Sequence, residues 1–208
     1  MHKGTTAAGA GILALALSVL PAPAQADPPG TTSLAEVLAA DGLELDTDWQ
    51  DFDILDQAVN DVLAAKPDSA VALLADGETE LTAFAPRDKA FRSLVKQLTG
   101  SRPRSEEATY AAVGSLGVDT VEYVLLYHVV TGPPITFEQA KAADGATLTM
   151  ANGVTLTVDY KPRRDRLYLE DADPDNRSAV VIPWLADINA GNRQIAHGIS
   201  QVLRPVDL

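Results

Sequence analysis

Residues 81–91 read Leu81-Thr-Ala-Phe-Ala-Pro-Arg-Asp-Lys-Ala-Phe91, and most of the expected architecture can be built outward from them. The first five residues alternate between two faces, which is the period-2 pattern of a β-strand. Pro86 has no N–H to donate and should end that strand. Asp88 can cap a helix whose apolar stripe, at helical spacing, includes Phe91. The segment therefore predicts a buried strand that leads directly into a helix.

The residues before this segment predict helices. Ser33 can cap a short helix, and a longer apolar stripe begins at Asp53. Between that helix and Leu81, an apolar run over 70–75 followed by Asp76-Gly77 predicts a β-hairpin, with a last helical turn as the alternative.

The residues after this segment predict more helices and then a β-rich last third. Ser105 can cap one of the helices, and another ends near His128. Asn152-Gly153 separates two alternating runs and is typical of a tight hairpin turn. Helices followed by strands favour an α+β domain over a parallel βαβ sheet.

The first 26 residues have the pattern of a cleavable secretory signal. Lys3 precedes an apolar run over 7–20, and Ala24-Gln25-Ala26 matches a cleavage site. The apolar run is shorter than the roughly 18–20 residues that a membrane span needs. We therefore expect a signal peptide at 1–26, an N-terminal extension with a short helix at 27–51 and one domain at 52–206. Cleavage would leave no membrane span in a secreted or cell-surface protein.

Composition excludes some classes of partner. The chain has 208 residues, 29 Asp and Glu against 16 Lys and Arg, and a formal net charge of −13. Such a charge opposes binding to nucleic acid. There is no cysteine, so stability must come from burial without disulfides.

Three segments together resemble the fasciclin (fasciclin I-type) domain family. Residues 81–91 are similar to its motif of strand, Ala-Pro, two polar residues and Ala-Phe. The segment Val124-Leu-Leu-Tyr-His-Val-Val130, followed by Gly132, resembles its Tyr-His motif. The segment Ile195-Ala-His-Gly-Ile-Ser-Gln-Val-Leu-Arg-Pro205 resembles its closing strand. The resemblance implies an α+β wedge of two short-stranded β-sheets with helices packed against it.

The resemblance also implies a role and a contact region. Fasciclin-like proteins act in adhesion or matrix contact, usually through protein partners. In some animal members the Tyr-His region is implicated in receptor binding, and it corresponds here to Tyr127 and His128. With Arg87, which stands where the family usually has Thr, these are the expected partner-binding residues.

The candidates for chemistry are few. His128 and His197 both lie in apolar surroundings and are expected to be core histidines without a catalytic role. Asp171, Asp173 and Asp175 are spaced like the start of a calcium loop, but the loop's sixth position lacks Gly and its twelfth lacks Glu. An acidic hairpin tip is the expected structure there. We therefore expect no catalytic residue, no metal site and no cofactor.

Two functions of different classes remain. The first is a monomeric, non-enzymatic adhesion or interaction module that binds a protein or a component of the cell envelope or extracellular matrix. The second is a carrier of an apolar small molecule, pigment-like or lipid-like, in a groove between helices and sheet. An apolar cavity would favour the carrier, and an exposed apolar patch would favour the interaction module.

Overall fold

The computed structural model describes residues 28–40, 42 and 44–207. The predicted signal peptide lies outside the described residues. The α-helices of the described part are α1 (Leu34–Ala39), α2 (Asp53–Ala65), α3 (Asp88–Thr99), α4 (Glu106–Gly114), α5 (Val118–Leu126) and α6 (Phe137–Ala142). The strands are β1 (Leu81–Pro86), β2 (Val129–Thr131), β3 (Thr147–Thr149), β4 (Thr155–Lys161), β5 (Arg166–Glu170), β6 (Ala179–Val180) and β7 (Gln194–Ile199). Short 3-10 helices occupy Ala70–Ala75, Pro162–Arg164 and Pro183–Leu185.

The strands form two sheets. In the three-stranded sheet, β1 lies in the middle, antiparallel to β2 and parallel to β7. The four-stranded sheet is antiparallel in the order β3-β4-β5-β6. The predicted α+β fold with two small sheets and packed helices is confirmed. Across the described part of the chain, no helix combines the length and the apolarity needed to cross a membrane.

Strand β1 separates two hydrophobic cores. Its residues Leu81, Ala83 and Ala85 pack into the core beneath the helices, together with Phe91 of α3. Phe84 faces the opposite way, into the core that the two sheets and α6 share. Every residue of β1 is buried because the strand has neighbours on both edges and packed layers on both faces. The predicted strand and helix at 81–91 are therefore confirmed, with Phe91 in the core.

The predicted helix cap at Asp88 is wrong. Arg87 is the N-cap residue of α3, and Asp88 is the first helical residue. The Asp88 carboxylate turns away from its own helix, and Oδ1 accepts the backbone N–H of Ile54 at 3.0 Å. It therefore satisfies a free N–H in the first turn of α2 instead.

The predicted hairpin before β1 is also wrong. Residues Ala70–Ala75 form a 3-10 helix, capped by the Ser69 hydroxyl, which accepts the N–H of Val71. The side-chain amide of Gln194 donates to the carbonyls of Leu73 and Asp76, each at 2.8 Å. These carbonyls are thus satisfied from β7, and a partner strand is not required.

The hairpin predicted around Asn152-Gly153 is confirmed between β3 and β4. The Asn152 side chain accepts the N–H of Val154 at 3.1 Å, and Gly153 has a φ of +85°. A positive φ is accessible to glycine at little cost, so this residue suits the turn.

Candidate functional site

Tyr127 ends α5 and is fully buried. Its hydroxyl donates to the carbonyl of Thr155 at 2.8 Å, which ties the end of α5 to the start of β4. Burial raises the pKa of the phenol to about 12. The side chain joins the three-stranded sheet region to the second sheet and is not available at the surface.

His128 follows directly and is also buried, at 4% exposure. The backbone N–H of Leu203 donates to Nε2 at 2.9 Å, so Nδ1 carries the proton and donates to the carbonyl of Val124 at 2.7 Å. Burial lowers the pKa of the imidazole to about 4. The ring is therefore neutral at neutral pH and links α5 to the C-terminal segment.

His197 uses the opposite tautomer. The N–H of Asp187 donates to Nδ1 at 3.2 Å, and Nε2 donates to the carbonyl of Ile135 at 2.8 Å. Burial lowers the pKa of this imidazole as well. Both nitrogens of each histidine contact backbone groups, so each ring acts as a brace between distant segments.

Arg87 lies at the same end of the three-stranded sheet as the Tyr127–His128 pair. Because β2 is antiparallel to β1, with Val129 opposite Ala83, the residues before β2 lie toward the end of β1 that leads to Arg87. Arg87 is half-buried, and its Nη1 donates to the side-chain oxygen of Gln50. The fold therefore brings the three predicted partner-binding residues to one end of the sheet, with two of them beneath the surface.

The most exposed large apolar side chain of the described residues is Trp184, at 76% exposure. It lies in the 3-10 helix Pro183–Leu185, between β6 and β7. The neighbouring Leu185 packs so closely on β7 that a Cβ atom at Gly198 would lie 2.6 Å from its Cβ. Leu185 therefore anchors the turn that carries Trp184 to β7. Sequence reasoning missed this residue, although the Pro183-Trp184 pair in a loop was a visible signal.

An apolar cavity of about 190 Å³ lies between α1, α2 and the three-stranded sheet. Most of the lining side chains are aliphatic, and the imidazole of His128 also lies in the wall. The aliphatic lining residues include Leu34, Val37, Leu55, Val59, Ala83, Leu125 and Ala196. An apolar cavity of about 150 Å³ is large enough to hold benzene. This cavity can therefore hold an apolar group of about one aromatic ring.

A second feature that sequence reasoning missed is an acidic cluster, formed by Asp51, Asp88 and Glu106. Burial first, and then the neighbouring Asp51, raise the pKa of Asp88 to about 9. Burial also raises the pKa of Glu106 to about 7 and raises that of Asp51. The three residues come from three separate segments, so the sequence shows them only as isolated acids.

The acidic tip that resembles a calcium loop has a structural explanation. Asp173 is 2% exposed, and its Oδ2 lies 3.0 Å from Nε of Arg204. Asp171 accepts the N–H of Arg204 at 2.9 Å and a side-chain N–H of Asn176. These carboxylates anchor the tip to the C-terminal segment.

Comparison with known proteins shows one family. A solved structure of a FAS1 domain pair from the insect cell adhesion molecule Fasciclin I is similar to this chain. The sequence identity is 17%, the TM-score is 0.44, and the match covers 71% of this chain. This chain covers 44% of that two-domain chain, less than half of its length. Curated protein sequences give no match. The model of the Fasciclin domain family, however, matches residues 56–205, which is more than half of the chain. The chain therefore belongs to the fasciclin domain family.

Proposed function

We propose that this protein is a monomeric, non-enzymatic adhesion or interaction module, secreted or displayed at the cell surface, that binds a protein or a component of the cell envelope or matrix. Fasciclin domains are in general adhesion modules of this kind and are typically extracellular. The observation that carries the proposal is Trp184, an exposed indole on a turn held rigid by Leu185. Tryptophan is enriched among the residues that dominate binding energy at protein interfaces.

Arg87, Tyr127 and His128 enter this proposal in different ways. Arg87 can offer part of its guanidinium to a partner because it is half-buried. Tyr127 and His128 are buried, so we propose that they support the contact region from beneath. Exposed Tyr123 of α5, at 37% exposure, is the nearby aromatic that a partner can touch.

The test of the interaction module is a pull-down from the native cell envelope with residues 27–208, followed by affinity measurement with the partner identified. We expect Trp184→Ala to weaken binding at least about tenfold, since loss of a central interface tryptophan removes more than about 1.4 kcal/mol. Val206→Ala, at a residue that is 45% exposed, is the matched control and should bind normally. Equal binding by the unmodified protein, Trp184→Ala and Val206→Ala would contradict the assignment of Trp184 to the interface.

The apolar cavity favours a second candidate function, the binding of a small apolar molecule. A cavity of about 190 Å³ holds about one aromatic ring, which is far less than a carotenoid-sized pigment requires. We therefore propose that any such ligand inserts a single ring or a short alkyl end between α1 and the sheet.

Benzene tests this second candidate directly. We expect saturating benzene to raise the Tm of the protein by a few degrees, because a ligand that binds the folded state stabilises it. Val37→Phe, which places a ring at the α1 wall of the cavity, should abolish the rise. An unchanged Tm for the unmodified protein, measured by scanning calorimetry, would rule out the cavity as a binding site.

A further inference from the structure

The acidic cluster collects carboxylates from three segments in one buried place. Asp51 belongs to the loop that precedes α2, whereas Asp88 opens α3 and Glu106 opens α4. Oxygens of the three side chains lie within 4.8 Å of one another. Asp51 also forms a second group of this kind with Asp46 and Asp53. Packing requirements alone do not account for three carboxyl groups in one place.

A second, independent observation is that each of the three carboxyl groups has one buried oxygen that no donor from outside the cluster reaches. The side chains of Asp51 and Asp88 hydrogen-bond to each other. Asp88 and Glu106 are both 0% exposed. From outside the cluster, Oδ2 of Asp88, Oε1 of Glu106 and Oδ1 of Asp51 receive no hydrogen bond. Buried polar atoms are nearly always satisfied in native proteins, so three such oxygens side by side point to a group shared among them, either a proton or a cation.

The remaining oxygens hold the cluster in position. Oδ1 of Asp88 accepts the N–H of Ile54 at 3.0 Å, and Oε2 of Glu106 accepts the N–H of Asp46 at 2.6 Å. Asp88 and Glu106 therefore each have one oxygen fixed by the backbone, and the other faces the rest of the cluster. Arg87, which precedes Asp88 in the chain, donates from Nη1 to the side-chain oxygen of Gln50.

The loop before α2 is fixed beside the cluster. The guanidinium of Arg92 stacks on Trp49, 4.1 Å from the ring centroid, and its Nε donates to the carbonyl of Pro103. The N–H of Asp88 donates to the carbonyl of Asp51 at 3.1 Å. These contacts join the loop before α2 to the starts of α3 and α4, so the donor oxygens are held before any ligand arrives.

We propose that the acidic cluster binds one hard divalent cation, of the calcium class, through the oxygens of Asp51, Asp88 and Glu106 that receive no hydrogen bond from outside the cluster. All donors are anionic oxygens, which calcium and magnesium prefer and which zinc, with its preference for nitrogen and sulfur, does not. An irregular loop that adds carbonyls and water suits the flexible coordination of calcium better than the strict octahedron of magnesium. This site differs from the Asp171–Asp175 tip, and it departs from the expectation that the chain holds no metal.

The test is a titration of residues 27–208 with CaCl₂, with MgCl₂ and KCl at matched ionic strength as parallel arms. We expect one calcium per chain by calorimetry, and a rise in Tm of about 5 °C when calcium exceeds its Kd about a hundredfold. Asp88→Asn and Glu106→Gln should each lose most of the rise. Both substitutions keep an oxygen that can accept the fixed backbone N–H, so both variants should fold.

Asp175→Asn is the matched control, because it removes one equal charge from the exposed tip that resembles a calcium loop. It should keep the full calcium response. A proton held between Asp51 and Asp88 is the competing explanation of the cluster, and it predicts no heat and no change in Tm. That result, or an equal rise in all variants and in the KCl arm, would overturn the proposal. A response to magnesium that exceeds the response to calcium would overturn the choice of calcium.

Discussion

Replacement of Phe91 by alanine is expected to lower the free energy of unfolding by about 3–5 kcal/mol, because it empties a buried aromatic site. Phe91 is 4% exposed and lies in the core shared by the helices and β1. Chemical denaturation monitored by far-ultraviolet circular dichroism measures the loss.

Lys96→Ala provides the control on the same helix. Lys96 is exposed, and its substitution should change the free energy of unfolding by less than about 0.5 kcal/mol. If Phe91→Ala and Lys96→Ala have similar small effects, the packing of α3 on β1 described above is incorrect.

The second large effect concerns the pH dependence contributed by His128. The folded protein holds this imidazole neutral, with a pKa of about 4, whereas the unfolded chain has the ordinary pKa of about 6.5. As the pH falls below 6.5, the imidazole binds a proton in the unfolded state but stays neutral in the folded state, so the folded state loses stability. The contribution is complete above about pH 6.5 and declines until the pH reaches about 4.

A comparison with His128→Gln isolates this contribution, since all other titrating groups are common to both proteins. The stability advantage of the unmodified protein over His128→Gln should shrink by about 2.5 kcal/mol between about pH 7.5 and about pH 4.5. Urea titrations at the two pH values provide the measurement. A difference that stays constant would mean that the imidazole titrates normally and is not held between Val124 and Leu203.

Sequence patterns predicted the correct secondary structure wherever neighbouring residues determine it. Strand β1 and helix α3 follow from alternation, proline and an apolar stripe within residues 81–99. The turn at Asn152-Gly153 follows from two residues whose own conformations make the turn. These features are determined by neighbours within a few positions, so one sequence is enough to predict them.

The wrong and missed predictions concern features that involve residues far apart in the sequence. Asp88 could not be assigned to α2 because its partner, Ile54, lies far away in the chain. The segment before β1 is a 3-10 helix, and Gln194 of the distant strand β7 donates to the carbonyls of Leu73 and Asp76 at its end. The acidic cluster was missed for the same reason. The closely spaced acids at 171–175 were noticed, and two of them anchor a tip.

The parallel pairing of β1 with β7 has a consequence for the order in which this polypeptide can assemble. Leu81 lies opposite Gln194, and Pro86 lies opposite Ile199, so one edge of the central strand stays unsatisfied until residue 199 is available. A nascent chain that has emerged only as far as α6 has its helices but lacks the strand that completes the sheet. Contacts between such distant segments form late because loop closure must come first. Acquisition of the native state is therefore delayed until synthesis has passed β7.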